Sequence, residues 1–326
     1  MKTRLLLFLV FFTAAAVRTA CAVPGDIFAS VDGGGHNASG SIFQYTPAGA
    51  QSTFASGLAR PRGLAFDGAG NLYVDTNFFD VSGNIQGTVL KFSGSGKQST
   101  FATGFGTNFF LQAMAIDKSG DVFVDGGPGT LSSTVFKITP NGTKSTFFSS
   151  ATELFGLAFD HTGNLFVASD GATTDKILKF TPGGTESVFA SSTTVGFTGL
   201  AFDSAGDLFA AAFNGSGTAG SDTILKFTSS GVESTFASGL TNARGLAFDD
   251  AGNLFAAEFT TVSTGDILKF TPGGTESVFA SGVSGPTWLA VQPRSVPDAS
   301  PTSILLVLGV GATFGLNLLL HRRSQA

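Results

Sequence analysis

A hairpin-like segment occurs twice in the chain without a single change. Residues 177–190 read Ile-Leu-Lys-Phe-Thr-Pro-Gly-Gly-Thr-Glu-Ser-Val-Phe-Ala, and residues 267–280 repeat them. Two runs rich in Ile, Leu, Val and Phe flank a Pro-Gly-Gly turn signal, which is typical of a β-hairpin. Pro in second place and Gly in third place of residues 181–184 predict a type II turn. Looser copies of the hairpin start near Ile42, Val89, Val135 and Ile224.

A second segment alternates with this hairpin. Gly63-Leu-Ala-Phe-Asp67, followed by Leu72-Tyr-Val74, has counterparts around Asp117, Asp160, Asp203 and Asp249 and a shortened copy at residues 288–291. Successive Asp residues lie 50, 43, 43 and 46 positions apart. Each unit contains four short strands, and a period of roughly 40–50 residues with four strands is typical of propeller blades. One Asp per unit places these carboxylates in separate turns, so we interpret them as structural rather than as metal ligands.

The two ends of the repeat region predict how the units assemble. Residues 26–30, 42–46 and 52–55 supply three strands of an incomplete unit, and the missing inner strand occurs only at residues 288–292. We therefore expect residues 23–293 to form an all-β, six-bladed β-propeller with four-stranded blades, in which N-terminal strands pair with a C-terminal strand. Phe recurs at equivalent positions and predicts aromatic packing between blades, so Phe202→Ala should cost about 3–5 kcal/mol.

The composition excludes several classes of protein. The chain has 326 residues, of which 42% are hydrophobic, and this supplies ample apolar surface for a folded core. One Cys excludes a scaffold held by disulfides. A net charge of −5 and the absence of a basic run within the repeat region indicate that nucleic acid is not a partner.

The N-terminus has the order of regions of a secretory signal peptide. Lys2 and Arg4 precede an apolar run over residues 5–17, and Ala20-Cys21-Ala22 offers a small-x-small cleavage site. We predict a signal helix over residues 1–22 with cleavage after Ala22, the alternative being a buried N-terminal helix.

The C-terminus has three parts. Residues 294–303 form a linker that contains Val296-Pro297-Asp298, residues 304–320 are an uncharged apolar run of 17, and residues 321–326 carry two arginines. The apolar run reaches the short limit of a transmembrane helix. The arginines favour a cytoplasmic tail. We expect the protein to be exported across the inner membrane and anchored by this helix, with the repeat region outside.

This C-terminal arrangement resembles the bacterial PEP-CTERM sorting signal, in the variant that begins Val-Pro-Asp. Val296, Pro297 and Asp298 match, whereas Ala299-Ser300 departs from the variant's usual Ser-Gly. The resemblance implies two partners, the membrane and an exosortase-type enzyme that processes the tail. Release to the cell surface or into the medium would follow. A plain tail anchor is the alternative.

The repeated unit Gly-Leu-Ala-Phe-Asp-x-x-Gly-Asn-Leu-Phe-Val resembles NHL-type propeller repeats and the related gluconolactonase and streptogramin-lyase propellers. In such propellers the binding face carries the residue before each inner strand and the loop after each second strand. The first set here is Arg62, Gln112, Phe155, Thr198, Arg244 and Thr287. The second set is Asp32, Asp75, Asp125, Asp170, Asn214 and Glu258. The candidate rim residues of the central opening are Arg62, Gln112, Arg244, Asp75, Asp125, Asp170 and Glu258.

The resemblance also tests the enzyme hypothesis. Gluconolactonase-like proteins bind a divalent metal through a Glu before Gly-Pro-x-Trp, and Ser284 stands at that position here. Streptogramin lyases need a catalytic His, for which His36 is the loose candidate. We therefore expect no catalytic residue and no cofactor, a divalent cation such as calcium being the alternative. The expected function is a binding or structural module for an extracellular glycan or protein. The alternative is a metal-dependent lactonase or a lyase-like enzyme that acts on a small substrate at the central opening.

Overall fold

The protein is a six-bladed β-propeller in which every blade is a four-stranded antiparallel sheet. The computed structural model describes residues 23–33, 39–128, 132–171, 173–215, 218–261 and 264–294. Within these ranges the chain forms no helix, and so none that is long and apolar enough to cross a membrane. The predicted signal peptide with Ala22, the sorting motif with Val296, Pro297 and Asp298, and the predicted transmembrane run lie outside the described residues.

The strands follow the repeat unit closely. The first sheet contains β1 (Ile27–Val31), β2 (Gly40–Tyr45), β3 (Gln51–Leu58) and the last strand, β24 (Pro286–Val291). The second sheet contains β4 (Leu64–Phe66), β5 (Leu72–Phe79), β6 (Ile85–Phe92) and β7 (Gln98–Ala102). The third contains β8 (Phe110–Ile116), β9 (Val122–Gly127), β10 (Ser133–Ile138) and β11 (Lys144–Ser150). The fourth contains β12 (Glu153–Phe159), β13 (Leu165–Asp170), β14 (Asp175–Phe180) and β15 (Glu186–Ser192). The fifth contains β16 (Gly196–Phe202), β17 (Leu208–Phe213), β18 (Asp222–Phe227) and β19 (Glu233–Leu240). The sixth contains β20 (Ala243–Phe248), β21 (Leu254–Thr261), β22 (Thr264–Phe270) and β23 (Glu276–Val283).

The first sheet joins the two ends of the repeat region. β24 is the inner strand of this sheet and pairs antiparallel with β1, with Ile27 opposite Val291 and Phe28 opposite Ala290. Beyond the strand ends, the N–H of Gly25 donates to the carbonyl of Gln292 at 2.9 Å. The strand that the N-terminal part of the sheet lacks is thus supplied from about 260 residues further along the chain.

The turn between the first and second strands of a unit is built on one carboxylate. Asp67 Oδ1 accepts the backbone N–H groups of Ala69 and Asn71 at 3.0 and 2.8 Å. The N–H of Gly70 donates to the Asp67 carbonyl, and Gly70 has φ +79°. This is a type I turn followed by a left-handed residue, a common hairpin connection. Asp117, Asp160, Asp203 and Asp249 accept the same pair of backbone bonds.

The type II turn predicted for residues 181–184 is wrong. Gly184, the fourth residue, has the positive φ of +83°, whereas Gly183 does not. The N–H of Gly184 donates to the Thr181 carbonyl at 2.8 Å. Since a type II turn needs the positive φ at its third residue, this hairpin uses the same type I turn and left-handed glycine as the other hairpin of the unit.

Aromatic packing between neighbouring sheets forms the core. Six hydrophobic clusters each combine residues of two adjacent sheets. Phe209 of β17 is typical, because it meets Phe236 of its own sheet and Phe248 of the next sheet edge to face, at 4.9 and 5.0 Å. Phe202 holds the outer position of such a triad and is half-buried against Phe166. Its truncation should therefore cost less than expected, about 1.5–3 kcal/mol.

Candidate functional site

A cavity of about 270 Å³ lies at the central opening of the propeller. Its lining residues, which define the central cavity, are Arg62, Gln112, Phe155, Asp170, Gly196, Phe197, Thr198, Phe213, Asn242, Arg244 and Trp288. Arg62, Gln112, Phe155, Thr198 and Arg244 occupy the same place in five successive units. Of the seven candidate rim residues, the cavity brings together Arg62, Gln112, Asp170 and Arg244.

A glycine follows Arg62, Phe155, Thr198 and Arg244 and explains why these side chains point into one space, whereas Ala113 follows Gln112. A Cβ atom on Gly156 would collide with the Thr198 carbonyl, and one on Gly199 would collide with the Arg244 carbonyl. The inner strands therefore approach each other too closely for a side chain at this point. The residue just before each glycine is the nearest one that can carry a functional group towards the opening.

Aromatic side chains form the wall of the central cavity. Phe155, Phe197 and Phe213 line it from the fourth and fifth sheets. Trp288 comes from the first sheet but packs against the hydrophobic cluster shared by the third and fourth sheets. Its indole therefore reaches across the central opening. Trp288 is the single Trp of the chain, so it is also a natural fluorescence reporter of this cavity.

Two guanidinium groups give the cavity its positive charge. Arg62 lies 3.6 Å from Asp32 and stacks on the Phe110 ring at 4.4 Å. Arg62 Nε is buried and has no hydrogen-bond partner within the described part of the chain. Arg244 stacks on Phe259 at 5.0 Å, and its Nε donates to Asn242 Oδ1 at 3.3 Å. Burial lowers the pKa of both arginines, but a guanidinium stays protonated at neutral pH.

Acidic and amide side chains also lie at the central cavity or beside it. Gln112 Nε2 donates to Glu153 Oε1 at 2.9 Å, and both residues line an adjoining cavity of about 220 Å³. Burial, followed by a hydrogen bond and repulsion from Asp175, raises the pKa of Asp170 to about 6. Asp170 can therefore change its protonation state near neutral pH while it lines the same cavity as the two arginines.

Three carboxylates expected at the rim lie elsewhere. Asp75 and Asp125 are fully buried and accept backbone N–H groups of Gly63 and Ala113, at 2.9 and 2.7 Å. They face the irregular start of the inner strand, and they are buried because β5 and β9 are buried on both faces at this point. Burial raises the pKa of Asp75 to about 8 and that of Asp125 well above its usual range. Glu258 is 9% exposed and accepts the Thr241 N–H at 2.6 Å, outside the central cavity.

The residues of the central cavity do not fit a divalent cation. Across the described ranges, no three His, Cys, Asp or Glu side chains are grouped so that they could hold a metal ion. Two guanidinium groups at the opening repel a cation and attract an anion. Ser284, which stands where gluconolactonase-like proteins have a metal-binding Glu, lines a neighbouring cavity beside Arg62 and Arg244. His36 lies outside the described residues.

The sequence did not point to several residues of the site. Arg60, Phe110, Asn242, Phe197 and Phe213 contact or line the cavities but do not directly precede an inner-strand glycine. One signal was available for two of them. Arg60 and Asn242 lie two residues before Arg62 and Arg244, at matching places in two units. Both have a left-handed backbone, with φ of 45° and 48°.

Comparisons with known proteins support the fold. Neither a protein-family model nor a curated protein matches the chain. Among solved structures, TolB from Acinetobacter baumannii is similar with a TM-score of 0.65 and 11% identity, over 83% of this chain and 67% of that one. Virginiamycin B lyase from Staphylococcus aureus is similar with a TM-score of 0.53 and 13% identity, over 73% of this chain and 76% of that one. The calcium-binding protein regucalcin from Agrobacterium tumefaciens is similar with a TM-score of 0.54 and 13% identity, over 67% of this chain and 74% of that one. At these identities the similarity shows a shared propeller architecture.

Proposed function

We propose that the central cavity binds a small organic anion with an apolar body. The observation that carries this proposal is the placement of Arg62 and Arg244, from equivalent positions of two repeat units, in one cavity walled by Phe and Trp rings. Guanidinium groups bind carboxylates and phosphates through paired hydrogen bonds. The rings offer a flat apolar surface, and Gln112 and Asn242 supply donors and acceptors that orient the ligand.

The affinity should depend on charge rather than on shape alone. Benzoate and benzamide have the same ring and nearly the same outline, but only benzoate is charged. Because the guanidinium groups of Arg62 and Arg244 line the cavity, benzoate should bind at least about tenfold more tightly than benzamide. Binding beside Trp288 should change the fluorescence of that side chain, which gives a direct titration signal.

Variants test where the ligand binds. Arg244→Gln should weaken benzoate binding about tenfold, since one charge-assisted hydrogen bond is lost. Arg294→Gln is the matched control, because Arg294 is exposed and pairs with Asp250 at 2.9 Å, outside the central cavity. Equal affinities for benzoate and benzamide, or equal losses in the two variants, would refute an anion site in this cavity.

A second candidate function is acid–base chemistry on the bound molecule. The observation that favours it is Asp170, a carboxyl that lines the cavity and whose pKa is raised to about 6. Such a group can donate or accept a proton at neutral pH. Virginiamycin B lyase shows that a propeller of this kind can act on a small molecule. A lyase or lactonase that works without a metal ligand set would use Asp170 as its proton donor or acceptor.

Turnover and binding separate the two functions. With 4-nitrophenyl succinate, an ester that carries a free carboxylate, an enzyme should release 4-nitrophenol faster than buffer does. Asp170→Asn should abolish that release and leave benzoate affinity within about twofold. No release above buffer across a panel of anionic esters and lactones would leave a binding protein.

We also propose that the propeller works outside the cytoplasm. The support comes from the sequence alone: a signal peptide that ends at Ala22 and a tail with Val296-Pro297-Asp298, an apolar run and two arginines. The cavity would then meet ligands of the cell surface or extracellular matrix, and the repeat units would belong to the NHL type. Intact-mass analysis of the exported protein tests this proposal. Loss of residues 1–22 and cleavage near Pro297 are expected, and an uncut C-terminus would refute exosortase processing.

A further inference from the structure

Three arginines, rather than two, meet beside the central cavity. Arg60, Arg62 and Arg244 line a neighbouring space of about 180 Å³, which we call the arginine cavity. It shares Arg62 and Arg244 with the central cavity, so the two spaces adjoin. We propose that the arginine cavity binds a doubly charged phosphate group, and that the ligand of the central cavity is a phosphate monoester whose apolar body lies against Trp288. This inference rests on the proposed function and specifies the charged group of its ligand.

The charges of the arginine cavity leave two positive charges unmatched. Asp32 is the acidic side chain that lines it, and this residue lies 3.4 Å from Arg60 and 3.6 Å from Arg62. Among the residues that the structure describes, Arg244 has no ion pair at such distances, and burial, followed by the positive charge of Arg62, lowers its pKa. Three guanidinium groups and one carboxylate carry a net charge of +2. A carboxylate would match half of that charge, whereas a phosphate monoester carries close to −2 at neutral pH.

Nearby acids do not change this balance. Asp75 is the other carboxyl close enough to affect Arg62, and burial raises its pKa to about 8. It is therefore mostly neutral at pH 7.

Aromatic rings hold the guanidinium groups in place. Arg60 lies 5.1 Å and Arg62 lies 4.4 Å from the Phe110 ring, and Arg60 also lies 5.9 Å from Phe79. Arg244 rests on Phe259. Stacking on a ring leaves the edge of a guanidinium, where its N–H groups are, free to meet an oxyanion. The side chains lose little further freedom when a ligand binds, which favours affinity.

The backbone of Arg60 supplies an independent argument. Arg60 has φ 45°, a left-handed conformation that Asn adopts far more readily than Arg. The matching position of the sixth sheet is indeed Asn242, with φ 48°. Arg60 thus opposes the local preference for Asn or Gly at a positive φ, and it places a third guanidinium in the cavity. A strained residue with a charged side chain beside a cavity indicates a functional role.

The test compares two ligands that differ by one charge. Methyl phosphate carries nearly two negative charges and dimethyl phosphate carries one, while both keep the tetrahedral phosphate. Calorimetric titration of the full chain in detergent should give an affinity for methyl phosphate about tenfold or more above that for dimethyl phosphate. Arg60→Asn, which suits the backbone at this position, should remove that preference. Arg294→Gln should leave the preference unchanged.

The outcomes separate this inference from the proposed function. Equal binding of the two esters, or an unchanged preference in Arg60→Asn, would overturn the phosphate site even while benzoate still binds. Binding of inorganic phosphate without binding of methyl phosphate would show a free-ion site and would also overturn the ester. If neither benzoate nor methyl phosphate binds, the proposed function fails together with this inference. Melting temperatures of Arg60→Asn and the parent chain establish that the variant is folded.

Discussion

The turns of the propeller and its central cavity arise from the same repeat unit but use it in opposite ways. At the turns, Asp67 and its four counterparts make the same backbone hydrogen bonds in five of the six sheets. Five Lys side chains, such as Lys226 over Phe209, also recur over the aromatic ring of the second strand. At the cavity, the equivalent positions hold Arg, Gln, Phe, Thr and Arg. What repeats builds the fold, and what varies provides the chemistry.

The largest effect should come from the repeated part of the unit. Phe209 is 3% exposed and contacts Phe236 and Phe248 across two sheets. Phe209→Ala should lower the free energy of unfolding by about 3–5 kcal/mol, because it opens a cavity between sheets. Phe202→Ala, at a half-buried position of a similar triad, should cost roughly half as much. If Phe209→Ala and Phe202→Ala lose the same free energy of unfolding in chemical denaturation, sheet-to-sheet packing is not the main source of stability.

A buried acid beside the cavity should make stability depend on pH. The pKa of Asp75 is raised from 3.8 to about 8, with burial as the main cause. The folded state therefore holds this proton more tightly than the unfolded chain does. The stability that the protonated Asp75 contributes is fully present below about pH 4 and is lost as the pH rises through about 8.

Asp75→Asn should remove most of that pH dependence. Between about pH 5 and pH 9, the parent chain should lose on the order of a few kcal/mol more than Asp75→Asn does. Asp250→Asn, at a half-exposed carboxylate, is the control and should follow the parent chain. If the stability of the parent chain and that of Asp75→Asn change in parallel with pH over this range, Asp75 is charged in the folded state.

A pair of variants should separate stability from binding. Asp249 Oδ1 accepts the N–H groups of Ala251 and Asn253, so Asp249→Ala should cost about 1–2 kcal/mol of stability. Asp249→Asn keeps the acceptor oxygen and should cost less. Asp249→Ala should leave benzoate affinity unchanged, whereas Arg244→Gln should weaken binding with little change in melting temperature. A variant that changes both properties equally would contradict the division between turns and cavity.

The smallest effect should come from the ion pairs over the rings. Lys226 Nζ lies 2.9 Å from Asp207, and its side chain is about one third exposed. Lys226→Met keeps the apolar stem over Phe209 and should change stability by roughly 0–1 kcal/mol. A loss comparable to that of Phe209→Ala, measured by denaturation in low salt, would show that these pairs are more than surface contacts.

The repeat made the fold predictable, because local and global preferences agree in each unit. The six four-stranded sheets followed from spacing and strand patterning, and the turn carboxylates followed from Asp and Gly at fixed places. The turn of residues 181–184 did not, since Pro-Gly-Gly fits two turn types and only the backbone shows that Gly184 has the positive φ. Burial of Asp75 and Asp125 was also missed, because a charged residue type suggested the rim while both faces of β5 and β9 are buried at this point.

The site was harder to predict than the fold for a geometric reason. Arg62 and Arg244 could be selected from sequence because each directly precedes an inner-strand glycine. Arg62 lies beside Asp32 of the first sheet and Phe110 of the third, whereas Arg244 stacks on Phe259 of its own sheet. No local pattern records that these side chains converge, because convergence depends on the curvature of the whole ring of sheets.

The most direct test of the account is a crystal structure of the protein with 4-bromobenzoate, whose bromine is located by its anomalous signal. The account predicts the carboxylate between Arg62 and Arg244 and the bromine among the rings near Trp288. Bromine located only away from this cavity, with the two arginines untouched, would contradict it.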